Sequence, residues 1–172
     1  MKIGVLPIGK TDTATIIWIK ENLTNTFPNA KCIVVDEKLP LRNEVYDENR
    51  KQYNSHMILS EVQSYAATKT GLDRVLGVVN VDIFVPELNF VFGEAMCPGK
   101  AALISLWRLK PEFYSEPADM QLFLERALKE AAHELGHTLG LGHCPWSSCV
   151  MHFSNFISDT DIKQSLFCGN YV

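Results

Sequence analysis

The 172-residue sequence predicts an α/β fold, a twisted mixed sheet with mostly parallel strands and one antiparallel edge strand. Three observations predict it. Short β-branched runs alternate with helix-spaced stretches through the first half of the chain. The apolar run over 74–85 suits a strand buried on both faces, and two further strand-like segments follow with no room for a helix between them. With 47% hydrophobic residues, a chain of this length can bury one core, so a single domain over 1–172 is expected.

In order along the chain, residues 2–8 read as a strand, 14–23 carry helical spacing, and 31–35 return to strand. Residues 39–47 form a polar connection holding Pro40. From 48 to about 67 the apolar residues Tyr53, Met57, Ile58, Val62 and Tyr65 recur three or four apart, which predicts a helix stopped by Gly71. The run over 74–85 then completes a strand–helix–strand–helix–strand pattern. Segments 88–94 and 101–107 flank the turn-prone Cys97-Pro98-Gly99-Lys100 and should pair antiparallel, one at the sheet edge. Residues 117–139 predict the strongest helix, with Leu122, Leu124, Leu128, Ala131, Ala132 and Leu135 on its apolar face. After Gly140 the periodicity stops, apart from a short helix expected over 159–167.

The net charge of -4, without a Lys/Arg run, gives no reason to expect a nucleic-acid partner. The first ten residues read as a strand rather than a leader, and no stretch approaches the roughly 18 unbroken apolar residues of a membrane span. A soluble, cytoplasmic protein without a membrane partner is expected. Five cysteines without an export signal argue for thiols or metal ligands rather than disulfides. Cys32 and Cys97, like Met57, Met96 and Met120, are expected in the core. His56 is expected at the surface.

The string His133-Glu134-Leu135-Gly136-His137-Thr138-Leu139-Gly140-Leu141-Gly142-His143 carries chemistry. Four residues apart on a helix, His133 and His137 aim at one point. Glu134, rotated about 100° from His133, stays near that point without being a ligand, which is where the general base for a metal-bound water belongs. On a continuing helix His143 would stand roughly 9 Å too far along the axis, so the chain must turn back, and Gly140 and Gly142 permit the turn. Three imidazoles leave a fourth tetrahedral position for water, the open arrangement of catalytic zinc. Chance assembly of the whole pattern from this composition is on the order of 10⁻⁵.

This string resembles the long zinc signature of the metzincins, and Met151 resembles the methionine of their Met-turn. The arrangement Cys144-x₄-Cys149-x-Met151, with Phe153-Ser154-Asn155, Asp159-Thr160-Asp161-x-Lys163 and Phe167-Cys168, resembles the archaemetzincins. Val91-Phe92-Gly93-Glu94-Ala95 and Ser105-Leu106-Trp107-Arg108-Leu109 are similar to that family too. The resemblance implies a zinc peptidase with the sheet above the metal (about 1–142) and an irregular part below it (about 143–172). It implies a peptide or small-protein substrate laid along the antiparallel edge strand, placed near 88–94. Catalysis maps onto Glu134, with His133, His137 and His143 holding the catalytic zinc. Where some metzincins place a Tyr that reaches the metal, this chain has Phe153, which has no ligand atom.

The same resemblance implies a second, structural zinc held by four cysteines. Here Cys144, Cys149 and Cys168 are present, but Tyr171 stands at the fourth position. His152, the Val172 carboxylate, water or a thiol from another chain could complete the shell. The function expected is peptide-bond hydrolysis. The alternative is a zinc-binding module that recognises a peptide or protein without turning it over.

Overall fold

The computed structural model describes residues 1–171. Strands β1 (Lys2–Pro7), β2 (Lys31–Val34), β5 (Arg74–Val79), β7 (Gly93–Ala95) and β8 (Ala101–Ser105) form a five-stranded sheet in the order β2-β1-β5-β8-β7. The first four of these are parallel, and β7 runs antiparallel to β8 at the edge, Glu94 opposite Leu103. The predicted mixed sheet with its antiparallel edge strand is therefore present.

Alternation of side chains divides the core between the two faces. Ile3 and Val5 of β1, Leu76 and Val78 of β5, and Ala102 and Ile104 of β8 pack on one face. They meet Ile16, Ile19 and Leu23 of α1 (Thr13–Thr26) and Ala127, Ala131 and Leu135 of α3 (Met120–Thr138). Val150 and Met151 of the C-terminal segment belong to this same cluster. The residues in between, Leu6, Val75, Val79 and Leu103, face Ile58, Val62 and Ala66 of α2 (Ser55–Thr68). Helices α1, α2 and α3 each begin at an Asx cap: Asp12, Asn54 and Asp119 each accept a backbone N–H from three residues on.

The structure departs from the sequence reading in four places. The second helix begins at Ser55, because residues 46–54 hold β3 (Tyr46–Asp47) and β4 (Gln52–Asn54), which with β6 (Ile83–Phe84) make a separate three-stranded sheet ordered β3-β4-β6. The run over 74–85 is two strands, since Asn80 accepts from Lys110 Nζ at 2.9 Å and Asp82 takes Arg108 bidentately at 2.6 and 2.8 Å. The edge strand is short, Gly93–Ala95, and residues 88–92 before it are irregular. Last, the short C-terminal helix α4 is Ile157–Ile162, closed at its start by the Asp159 carboxylate on the amides of Asn155 and Phe156.

Three residues expected in the core are exposed. Met57 and Met120 sit in the first turns of α2 and α3 on their solvent sides, and Cys97 lies in the β7–β8 connection. Among the described residues no helix is long and apolar enough to cross a membrane.

Candidate metal centre

Helix α3 runs from its Asp119 cap through Thr138, and its C-terminal half carries His133, Glu134 and His137. It ends where Gly140 adopts φ 88°, with the Gly140 amide on His137 O at 2.8 Å and the Leu141 amide on Gly136 O at 3.2 Å. This left-handed residue reverses the chain. Of the two glycines expected to permit the turn, only Gly140 has a positive φ. His143 is thereby returned to the helix, and the ligand atoms of His133, His137 and His143 all lie within 4.8 Å of one another.

Two of the three imidazoles have fixed tautomers. His133 Nδ1 donates to Val150 O and His137 Nδ1 to Leu141 O, each at 2.7 Å. Their Nε2 atoms, left with lone pairs, face each other at 3.1 Å. Two lone pairs at that distance repel unless a cation stands beside them, so the donor set fits a metal ion. Burial pushes the pKa of all three histidines below the usual value; at His133 the positive charge of Lys163 adds to burial. Neutral imidazole is the form that binds a metal.

Glu134 is buried under the edge strand. A Cβ at Gly93 would stand 2.7 Å from Glu134 Cγ and 2.6 Å from Leu103 O, so only glycine lets β7 approach this carboxylate. Burial, followed by the negative charge of Glu130 and weakly of Glu94, raises the Glu134 pKa well above the ordinary range, while Lys163 opposes the shift. Met151 lies below the helix at Gly136, where a Cβ would come within 2.4 Å of its Sδ. Phe153 covers the His143 ring at a centroid distance of 4.9 Å.

A cleft of about 220 Å³ opens beside His133 and Glu134, lined by residues 88–93 and 153–156 and by Glu130. Its aromatic walls are Phe90, Phe92, Phe153 and Phe156. A larger cavity of about 760 Å³, beyond the C-terminal ends of β1 and β5, shares no residue with it.

Sequence reasoning missed the buried charges that tie α4 to α3. Lys163 Nζ lies 2.9 Å from Glu130 Oε1, which also accepts from Thr160 Oγ1 at 2.8 Å. Arg126 grips Asp161 bidentately at 2.7 and 2.8 Å. Arg126, Glu130 and Glu134 stand four residues apart on one helical row, so the clamp leads to the candidate base. The signal available was Thr160-Asp161-x-Lys163 in a segment otherwise poor in charge. The backbone acceptors Val150 O and Leu141 O had no side-chain signal.

Below the histidines, the thiols of Cys144, Cys149 and Cys168 also lie within 4.8 Å of one another. Cys144 and Cys149 are buried, and no two of the five cysteines form a disulfide.

The family model for peptidase family M54 matches residues 17–172. An archaemetzincin of Pyrococcus furiosus is 43% identical over 171 residues, which are 98% of this chain and 88% of that protein. The crystal structure of archaemetzincin from Archaeoglobus fulgidus, complexed with malonate, superposes with a TM-score of 0.83 at 36% identity, covering 99% of this chain and 98% of the other. A zinc-dependent peptidase from Methanocorpusculum labreanum superposes with a TM-score of 0.87 at 26% identity, covering 98% and 97%.

Proposed function

The chain belongs to peptidase family M54, the archaemetzincins, and is a zinc metallopeptidase; from that premise we propose that His133, His137 and His143 hold the catalytic zinc and that Glu134 is the general base of peptide-bond hydrolysis. The observation that carries this reading is the pair of Nε2 lone pairs facing each other at 3.1 Å, each ring held by a backbone carbonyl on its other nitrogen. Zinc in that position supplies a lowered water pKa and a polarised substrate carbonyl.

The protein's own part is orientation and proton transfer. Glu134, enclosed between α3 and Gly93, takes the proton of the attacking water and delivers it to the leaving amine. Its raised proton affinity suits both halves of that transfer. The free edge of β7 offers main-chain hydrogen bonds to an extended peptide, and the phenylalanine-walled cleft beside Glu134 takes one substrate side chain. The irregular segment lining the cleft, rather than a ladder through 88–94, contributes the wall. We further assign residues 1–172 to one domain, with an upper part to about 142 and a lower part after it; the core running from Ile3 to Met151 supports this. Five free thiols support a cytoplasmic location. The second zinc, at Cys144, Cys149 and Cys168, is part of the same proposal.

Incubation of zinc-loaded protein with a mixed peptide pool, followed by mass spectrometry, tests the reading. Cleavage products that vanish with a chelator and return with zinc are expected. Peptides that bind and stay intact would replace hydrolysis with the recognition-module alternative.

A further inference from the structure

The cysteine cluster brings three thiols together and has no fourth cysteine. Cys144 follows His143 directly, and its amide donates to Met151 O at 2.9 Å, so the two candidate metal sites share one loop. Cys144 Sγ lies 3.7 Å from Cys168 Sγ, and the Cys168 amide donates to Cys149 Sγ at 3.4 Å. These three thiols converge from two segments, joined by the Val150 amide on Leu166 O at 3.0 Å. Three thiolates fit a zinc ion but leave one tetrahedral position to be filled.

Of the sequence candidates for that position, His152 has its Nδ1 engaged by Cys144 O at 3.0 Å, and its ring nitrogens are not part of the converging thiol group. Val172 lies outside the described residues. Tyr171 turns in. A turn closed by the Tyr171 amide on Cys168 O at 3.0 Å folds the chain back toward the thiols. The phenol hydroxyl donates to Gly142 O at 3.1 Å, two residues before Cys144, and the ring packs against the core cluster that holds Cys144 and Cys149.

We propose that Tyr171 completes this site, its phenol oxygen taking the fourth position of a zinc held by the thiolates of Cys144, Cys149 and Cys168. The inference rests on the reading that the cysteine cluster binds zinc. On binding, the phenol releases its proton to solvent, as the thiols do, and its hydrogen bond to Gly142 O is exchanged for the bond to the metal. An oxygen in place of a fourth thiolate makes a zinc that exchanges more readily than one in a four-cysteine shell.

The test uses full-length protein carrying His137→Ala, which leaves the cysteine cluster as the remaining candidate site, with zinc counted per chain and its affinity measured by competition with a chromogenic chelator. One zinc is expected in that background. Tyr171→Phe should weaken it at least about tenfold, and Tyr171→Cys should tighten it. With cobalt(II) as the probe, the thiolate charge-transfer absorption should rise by about a third in Tyr171→Cys, as three thiolates become four. Because that substitution restores a ligand, it also separates a loss of coordination from a loss of folding. Unchanged affinity in Tyr171→Phe would overturn the proposal and leave the fourth position to water or the chain terminus. Absence of zinc in the His137→Ala background, where unsubstituted protein holds one, would overturn both this inference and the second zinc while leaving the histidine site standing.

Discussion

Replacing Glu134 by Gln is expected to lower kcat by about 10²–10⁴-fold, the range of general-base contributions, while the zinc content stays unchanged. The amide keeps the shape of the side chain enclosed between α3 and Gly93, so the packing that a Cβ at Gly93 would break is preserved. What it loses is the capacity to accept a proton. Because Glu134 is not one of the three converging ligands, metal analysis of the variant should match that of the unsubstituted protein. Retained turnover would remove Glu134 as the base, and zinc lost together with turnover would make it a structural contributor to the metal site.

Lys163→Met is expected to destabilise the metal-free protein by about 3–5 kcal/mol, the cost of leaving one charge of a buried pair without its partner. The side chains of Lys163 and Glu130 are 0% and 3% exposed, and the ammonium is the counter-charge that Glu130 meets inside the fold. Thr160 alone, at 2.8 Å, cannot neutralise that carboxylate. Urea unfolding measures the effect, and Glu130→Gln added to Lys163→Met should recover most of the loss by removing the stranded charge. A loss below about 1 kcal/mol would place the pair among the weak ion pairs typical of exposed surfaces. Lys163 also reaches His152 O at 3.4 Å, in the segment whose Val150 carbonyl holds His133, so the same variant should weaken zinc binding.

The candidate centre was legible in the sequence because its logic is local: a four-residue spacing on one helix, a glycine reversal and a third histidine. The sheet was legible where apolar runs were clean, as in β1, β2 and β8. It failed where side chains answer to distant partners. Tyr53 has helical spacing to Met57, yet it pairs in β4 with Tyr46 and Ile83, and the helix waits for the Asn54 cap. Asn80 and Asp82 sit inside an apolar run, and their partners Lys110 and Arg108 come from 26 to 30 residues away. The clamp of Lys163 on Glu130 and the carbonyls that orient His133 and His137 are likewise long-range or backbone features, which composition and periodicity do not carry. Tyr171 read as a missing cysteine because a motif registers residue type, whereas the fold bonds its hydroxyl to Gly142 O, two residues before Cys144.

Counting zinc per chain in purified protein before and after His137→Ala tests the central claim most directly. The account predicts the loss of one zinc, with peptide turnover lost alongside it and any remaining zinc held at the cysteine cluster. An unchanged count with turnover intact would contradict the three-histidine site and the mechanism built on it.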